Sequence, residues 1–345
     1  MSRHFVYVGT YTREGGGGIV VLELCATSGR FLREVQQFPV EDPAYLALHP
    51  TRDVLYGVNE VRSLGGAPTG GVCEFAVDAP SGRLEFHRQW PSGGMTPAHL
   101  AVDAAGRWLA VANYRGANVA LGRLDEAGHL LELTPRWPFS GCSVHPERQQ
   151  QPHPHQAMFH DEGVVVPALG ADEILWRSLD GDTVVATKLP AGAGPRHLVL
   201  ARDGAMCYVL CELSSQLAVL AMRARREPME LRAIHSTRDR RAGASQAGAI
   251  KLHPSGRFLF CSNRGDDTVA VFSIAPSGAV ELVQVSSSGG RWPRDLTLTA
   301  DGRWLIVANQ HSGDLSVFAF DARLGRIDER SERWPVIAPA CVAIR

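Results

Sequence analysis

The chain has 345 residues, a formal net charge of −1 at pH 7 and a hydrophobic fraction of 45%. This length suits either two domains or one large all-β domain, and the hydrophobic fraction is enough for a sizeable core. A near-neutral charge argues against a protein that binds nucleic acid, because such proteins normally carry a basic excess. The opening MSRHFVYVGTY has no signal-peptide pattern, and no apolar run approaches the roughly 20 residues of a membrane helix. We therefore expect a cytoplasmic protein that binds neither membrane nor nucleic acid.

The cysteines give no sign of a metal site or of a disulfide framework. There are seven, an odd number, and none form a Cys-x-x-Cys pair. Cys207 and Cys211 lie on one predicted strand, which separates them by roughly 13 Å, too far to share a metal ion. Buried, reduced thiols are the expectation, in keeping with a cytoplasmic protein.

A strand–turn–strand pattern recurs along the whole chain. The clearest copies are PAHLAVDAAGRWLAVAN from Pro97, AIKLHPSGRFLFCSN from Ala249 and PRDLTLTADGRWLIVAN from Pro293. Weaker copies begin at Pro43, Pro154 and Pro195. With Gly248 as the equivalent of these prolines, the anchors fall at positions 43, 97, 154, 195, 248, 293 and 339, a mean spacing of about 49 residues. That spacing is typical of four-stranded propeller blades.

The two ends of the chain complete the count of modules. PACVAIR from Pro339 holds only the first strand of a module, and FVYVGTYT near the chain start matches the second strand. We predict that these strands pair, because ring closure removes free sheet edges. The predicted fold is all-β, a seven-bladed β-propeller of four-stranded antiparallel blades in a single domain, residues 1–345. A six- or eight-bladed ring is the alternative, since one weak copy could be miscounted.

Two positions in each module should face one mouth of the central channel. The first strand of a blade lines the channel, and its start lies beside the end of the antiparallel second strand. The position after each anchor holds Ala44, Ala98, His155, Arg196, Ala249, Arg294 and Ala340. The position that ends the second strand holds Tyr11, Glu60, Tyr114, Leu169, Glu212, Arg264 and Gln310. The preceding residue is often asparagine, at Asn59, Asn113, Asn263 and Asn309.

Three histidines lie close together in the stretch QPHPHQAMFH, residues 151–160. The predicted strand places His155 at the mouth, His153 just outside the strand and His160 at its far end. Because the three diverge, we expect no three-histidine metal site. His197 follows a mouth residue, so the alternation of a strand predicts that it points to the opposite face and has a structural role.

Other arginines are expected to be solvated. Arg107, Arg257 and Arg303 occupy Gly-Arg turns at the end of the blades opposite the mouth. The long connection RRAGASQAGA should overhang the mouth, but its Arg240 and Arg241 are also interpreted as solvated loop charges.

Together these motifs resemble those of the seven-bladed propeller lactonases, a family that includes the propeller-type 6-phosphogluconolactonase and the fungal carboxy-muconate cyclase. The resemblance covers nearly the whole chain, from YVGTYT (Tyr7–Thr12) and VNE (Val58–Glu60) through PHPHQ, GPRH, CEL and SNRG to the closing strand. In cyclase-type members a channel-mouth His, Arg and Glu, with a further Arg, are thought to carry the chemistry. By motif, these residues correspond here to His155, Arg196, Glu212 and Arg264.

The resemblance implies hydrolysis of 6-phosphogluconolactone to 6-phosphogluconate, a step of the pentose phosphate pathway, without a metal or another cofactor. His155 or Glu212 is the candidate general base, and Arg196 is the candidate for stabilising the oxyanion. The candidate substrate-binding residues are Arg264, Arg294, Glu60, Tyr114, Asn263 and Gln310. An arginine-rich mouth favours an anionic lactone, because a negative ligand relieves the repulsion between neighbouring cations.

Other functions fit the same residues. A muconate-type lactonizing cycloisomerase would run lactone chemistry in the other direction, and another sugar lactone could be the substrate. A non-catalytic propeller that serves as a binding platform would place no functional demand on His155 or Glu212. We expect a monomer or a weak homodimer.

Overall fold

The computed structural model describes residues 2–181, 183–223, 227–239 and 243–345. Its strands form seven four-stranded sheets, and consecutive strands within each sheet are antiparallel neighbours. The innermost strands of adjacent sheets contact one another around an axis. The prediction of a seven-bladed propeller is therefore confirmed.

We number the strands β1 to β28 in chain order and the blades 1 to 7, with the chain start in blade 1. In blade order, the innermost strands are β28 (Pro339–Ile344), β4 (Leu46–Leu48), β8 (Pro97–Val102), β12 (Met158–His160), β16 (Pro195–Leu200), β20 (Gln246–Leu252) and β24 (Pro293–Leu298). The second strands are β1 (Arg3–Thr10), β5 (Val54–Asn59), β9 (Trp108–Asn113), β13 (Gly163–Ala168), β17 (Met206–Cys211), β21 (Phe258–Arg264) and β25 (Trp304–Asn309).

The outer half of each blade follows the same order. The third strands are β2 (Ile19–Cys25), β6 (Gly71–Val77), β10 (Asn118–Leu124), β14 (Glu173–Ser178), β18 (Gln216–Ala221), β22 (Thr268–Ile274) and β26 (Asp314–Asp321). The outermost strands are β3 (Phe31–Phe38), β7 (Leu84–Pro91), β11 (Leu130–Pro138), β15 (Val184–Lys188), β19 (Glu230–Ser236), β23 (Val280–Ser287) and β27 (Arg326–Pro335). Two single turns of 3₁₀ helix cover Thr12–Glu14 and Leu169–Ala171.

The core lies between the blades, which explains the composition of the strands. The residues of β2 (IVVLELC) and β5 (VLYGVN) are buried throughout, because both faces of a middle strand pack against neighbouring blades. Such strands read as continuous apolar runs rather than as alternating ones. The outermost strand β7 (LEFHRQWP) is mostly exposed.

The ring closes as the sequence predicts. In blade 1, β28 pairs antiparallel with β1, and Val342 faces Val8 in the register. The C-terminal strand thus forms the inner edge of the blade whose other three strands come from the chain start.

A β-bulge interrupts the start of several innermost strands. In β16, Pro195 and His197 pair with Cys211 and Leu210, which leaves Arg196 as an extra residue. The same irregularity occurs in β8 and β24. Because a bulge places two consecutive residues opposite one, the simple alternation of strand faces fails at this position.

Histidine–glycine contacts join neighbouring blades at the end opposite the mouth. The Nε2 atom of His49 lies 3.2 Å from the carbonyl oxygen of Gly106, and His253 makes the same contact with Gly302. A Cβ atom on Gly106 would lie 2.4 Å from the His49 ring, and the residue has φ of +67°, so glycine is required there. The arginines of these Gly-Arg turns, Arg107, Arg257 and Arg303, are exposed as predicted.

All seven cysteines are unpaired. Six of them are buried, in agreement with the prediction, whereas Cys142 is exposed. Among the described residues, no helix is long and apolar enough to cross a membrane.

Candidate active site

A buried carboxylate with three arginines around it lies at the mouth. Glu212, directly after β17, is 1% exposed. Its Oε2 atom is 3.0 Å from Nε of Arg196 and 2.8 Å from Nη2 of Arg264, while Oε1 accepts a hydrogen bond from Arg148. The structure therefore brings together Arg196, Glu212 and Arg264, which three separate segments contribute.

Backbone carbonyls hold two of these arginines in place. Nη1 of Arg196 donates to the carbonyl oxygen of Gly248 at 2.6 Å, and Nη2 of Arg264 donates to that of Ala247 at 2.8 Å. Both carbonyls belong to β20, where the strand is irregular. Burial lowers the pKa of both guanidinium groups, and the nearby Glu212 charge opposes that shift. The arginines are thus rigid cations rather than mobile surface groups.

The arginines also decide the protonation of Glu212. Burial raises the pKa of this carboxyl, but Arg264, Arg148 and Arg196 lower it more strongly, and the net pKa lies well below the ordinary value. A carboxylate with such a low pKa is a poor proton acceptor at neutral pH. Its charge instead balances and orients the three guanidinium groups.

His155 precedes β12 and is 7% exposed at the same mouth. Its ring lies between Tyr114 and His197, with centroids 5.3 Å from each. Burial, followed by the charge of Arg196, holds its pKa well below 6.5, so the imidazole is neutral at pH 7. In the described part of the chain its Nδ1 atom has no hydrogen-bond partner. That atom is itself buried, so it is an unsatisfied polar group in this structure. The neutral imidazole can accept a proton, although its lowered pKa makes it a weaker base than a free histidine.

The expectation that His197 points away from the mouth is wrong. Both ring nitrogens of His197 lie 3.2 Å from Nη1 of Arg196, and its ring contacts His155. The bulge at Arg196 is the cause, because it brings both residues to the channel side. His99 continues the line of rings into the channel, 5.7 Å from His197.

The other histidines of the 151–160 stretch diverge as predicted. His153 stacks on Tyr114 at 4.1 Å between ring centroids, and its Nδ1 donates to the Tyr114 carbonyl oxygen at 3.0 Å. His160 lies at the far end of β12, 3.7 Å from the carboxylate of Asp161. His153 therefore supports the side chain of Tyr114, whose hydroxyl is 3.5 Å from Arg148.

A second group of charges adjoins the first. The Tyr11 hydroxyl donates to Oε2 of Glu60 at 2.8 Å, and Nη2 of Arg294 lies 3.8 Å from the same oxygen. Arg13 is 3.3 Å from Oε1. Arg294 is the second residue of β24, as Arg196 is of β16, so both groups lie at one mouth. Beside Glu60 opens a cleft of about 410 Å³ whose lining includes Arg13, Arg62 and Arg115.

Asn263 is a correction to the predicted substrate-binding set. It is fully buried, and its Oδ1 accepts from Oγ1 of Thr237 at 2.6 Å. Its Nδ2 donates to the Thr237 carbonyl oxygen at 2.8 Å and to Oγ1 of Thr268 at 3.1 Å. These bonds use both N–H groups and one acceptor site of the oxygen, and those to Thr237 connect blade 6 to the end of blade 5. Asn113 and Asn309 donate to equivalent carbonyls of the blades before them, at Ser92 and Ser288.

Gln310 does not join the Glu212 cluster. Its Nε2 donates to both carboxylate oxygens of Glu14, at 3.0 and 2.9 Å, across the junction of blades 7 and 1. This contact orders the 3₁₀ turn after β1, so the position of Gln310 near the mouth is explained by packing.

Sequence reasoning missed Arg148, the third cation on Glu212. It lies in the connection between β11 and β12, outside the repeated pattern. The available signal was that a long connection before an innermost strand opens onto the mouth. The same reasoning predicts that the loop carrying Arg240 and Arg241 overhangs the mouth, and those two arginines lie outside the described residues.

Comparison with known proteins identifies the family. The model of the family "Lactonase, 7-bladed beta-propeller" matches residues 5–344. The chain belongs to this lactonase family. The lactonase is 30% identical over 349 residues to a 6-phosphogluconolactonase of Bacillus subtilis, an alignment that covers 99% of this chain and 98% of that protein. A 6-phosphogluconolactonase of Formosa agariphila is 28% identical, with 94% of each chain covered.

A solved structure agrees with this membership. The periplasmic gluconolactonase of Pseudomonas aeruginosa superposes on the lactonase with a TM-score of 0.91 and 29% identity, covering 99% of both chains. The protein is therefore an enzyme of the lactone-hydrolysing class.

Proposed function

We propose that the lactonase hydrolyses 6-phosphogluconolactone to 6-phosphogluconate, a reaction of the pentose phosphate pathway. The observation that carries the proposal is the excess of cations at the mouth. Four guanidinium groups, those of Arg148, Arg196, Arg264 and Arg294, share only two carboxylates among the described residues, those of Glu212 and Glu60. An anionic substrate supplies the missing negative charge, and arginine binds phosphate oxygens through two parallel hydrogen bonds.

In the proposed reaction, His155 removes a proton from a water molecule as its oxygen attacks the lactone carbonyl carbon. Its neutral state at pH 7 and its position at the mouth support that role. The carbonyl oxygen gains negative charge, which the neighbouring cation Arg196 stabilises. Collapse of the tetrahedral intermediate breaks the ring C–O bond, and the imidazolium returns its proton to the departing alkoxide. The products are a carboxylic acid and a hydroxyl group.

The remaining residues have supporting roles in this proposal. Glu212 orients Arg196, Arg264 and Arg148 and keeps them charged. Arg264 and Arg294 are proposed to bind the phosphate, and Tyr114 and Glu60 to contact the sugar hydroxyl groups. The scheme uses only side chains of this chain, and we propose no cofactor.

A neutral sugar lactone is the second candidate substrate. It is favoured by the structural similarity to a protein named gluconolactonase. A cycloisomerase has no support among the relatives named above. A purely binding role leaves unexplained why a buried carboxylate, three arginines and a neutral histidine meet at one mouth.

Initial rates with freshly prepared 6-phosphogluconolactone, gluconolactone and carboxymuconolactone test the proposal, with and without EDTA. We expect kcat/KM to be highest for the phosphorylated lactone and unchanged by EDTA. A kcat/KM for gluconolactone equal to or above that value would shift the assignment to neutral sugar lactones. The cytoplasmic location and the monomeric or weakly dimeric state stay predictions, and the Pseudomonas aeruginosa neighbour is described as periplasmic.

A further inference from the structure

A second cluster of ionisable groups lies far from the mouth, on the flank between blades 2 and 3. Glu74 is in the middle of β6, His87 is on the neighbouring outermost strand β7, and His129 is in the turn before β11. The Nδ1 atom of His129 lies 2.5 Å from Oε1 of Glu74, and the Nε2 atom of His87 lies 3.6 Å from the same oxygen. The two rings are stacked, with centroids 4.4 Å apart.

Burial makes the carboxylate of this cluster unusual. The side chain of Glu74 is 1% exposed, whereas those of His87 and His129 are 37% and 35% exposed. Its Oε2 atom accepts a hydrogen bond from the backbone N–H of Leu130. Across the described residues, the only ion-pair partners of Glu74 are these two imidazoles, which are charged only when protonated. Buried charges in proteins are normally paired or bound to a metal ion.

The ligand atoms have the spacing of a metal site. All three lie within 4.8 Å of one another. In a tetrahedral zinc site with bonds of about 2.0–2.1 Å, ligand atoms are about 3.3 Å apart. The distances from Oε1 of Glu74 to the nitrogens of His129 and His87, 2.5 and 3.6 Å, lie on either side of that value. Small rotations of the two partly exposed imidazoles are therefore enough to bring the ligand atoms to the spacing of a zinc site.

We propose that Glu74, His87 and His129 bind one divalent transition-metal ion, with Zn²⁺ as the preferred metal. Two imidazoles and one carboxylate are a common zinc ligand set, and the exposed side of the rings leaves the fourth position to water. The ion would join blade 2 to blade 3, because His129 comes from a different blade than the other two ligands. The site is separate from the channel mouth and does not depend on the substrate proposed above.

Isothermal titration of the metal-free protein with ZnCl₂ tests this site, together with the visible spectrum after Co²⁺ addition. The measurements use a Cys142→Ser background, because the one exposed thiol is a competing zinc ligand. Variants His87→Ala and His129→Ala each remove one ligand. His235→Ala is the matched control, since His235 is a partly exposed histidine of blade 5. Circular dichroism verifies that each variant is folded.

We expect one equivalent of Zn²⁺ to bind, and the affinity to fall by more than about 100-fold in His87→Ala and His129→Ala, beyond the range seen when only a supporting contact is lost. The control should bind like the parent, and zinc should raise the Tm of the parent and of the control but not of the two ligand variants. Lactonase activity should be the same in all of them. No saturable binding in the parent, or unchanged affinity in His87→Ala, would overturn the site.

Discussion

Arg148 and Glu212 lie 64 residues apart in the sequence, yet Arg148 donates a hydrogen bond to the Glu212 carboxylate at the channel mouth. The arginine comes from the connection between blades 3 and 4, and the glutamate directly follows β17, the second strand of blade 5. This ion pair holds the connection between β11 and β12, which is not part of the repeat, against the site. The side chain of Arg148 is 30% exposed, so it is the accessible member of the three cations.

Replacement of Arg148 by alanine should therefore impair catalysis more than folding. A hydrogen bond from Arg148 to the anionic substrate would contribute about 1.5–3 kcal/mol, which corresponds to a loss of about tenfold to 100-fold in kcat/KM. Steady-state kinetics on the preferred lactone check the loss, and Arg148→Lys should recover part of it. Arg107→Ala is the control, because Arg107 is exposed at the opposite end of the blades. A Tm that drops while kcat/KM stays constant would assign Arg148 to loop stability instead.

Glu212→Gln should mainly destabilise the protein. The substitution leaves buried arginines without their counter-charge, and removal of one partner from a buried ion pair costs about 3–5 kcal/mol. Urea unfolding measures the change, with Glu126→Gln as the control at an exposed glutamate. If Glu212 were instead the general base, the variant would lose nearly all turnover even under conditions where it is fully folded.

The pH dependence of kcat/KM tests the role of His155 as the general base. His155 accepts a proton only when it is neutral, and its pKa is held well below 6.5. The rate should therefore stay level as the pH falls through 6.5 and decline only at more acidic pH. His155→Gln should lower kcat by about 10²–10⁴-fold, the usual contribution of a general base. An acidic limb centred near 6.5, or wild-type turnover in His155→Gln, would contradict this role.

The free energy of unfolding should also depend on pH, because three buried histidines have strongly lowered pKa values in the folded protein. Burial lowers the pKa of His99, His155 and His197 well below 6.5. Below pH 6.5 the unfolded chain takes up protons that the folded protein does not, so the free energy of unfolding falls as the pH falls. Each histidine contributes a slope of up to about 1.4 kcal/mol per pH unit. Urea titrations between pH 7 and pH 5 measure the total slope, and His99→Gln should reduce it by one histidine's share. A slope that His99→Gln leaves unchanged would show that His99 titrates normally in the folded state.

The repeat explains which parts of the structure the sequence could predict. Blade number and ring closure follow from a regular spacing, and His155, Arg196, Glu212 and Arg264 were found as large ionisable residues at matched positions. His197 was misplaced because one bulged residue reverses the facing of its neighbour, and the sequence has no clear local mark of a bulge. Arg148 was missed because it lies outside the repeat.

Asn263 differs from Arg148 because it belongs to the repeat. Its recurrence in matched positions indicates a structural role. Asparagine recurs before the mouth position in several blades, and each side chain bonds to the preceding blade. A residue that recurs at the matched position of several blades serves the architecture, whereas a residue that interrupts the ring, as Arg196 does among alanines, is a better candidate for chemistry.

If these asparagines are structural, Asn263→Ala and Asn309→Ala should lower stability to a similar extent and leave the KM for the lactone unchanged. Each substitution leaves buried polar partners unsatisfied, at about 1–3 kcal/mol for each group, and the loss should appear as a lower urea midpoint in both variants. Their KM for the lactone should remain within about twofold of the parent's at a temperature where both are folded, a difference of less than about 0.5 kcal/mol. Because Asn309 makes the same contact in blade 7, it controls for general effects of the substitution. A rise in KM confined to Asn263→Ala would restore that residue to the substrate-binding set.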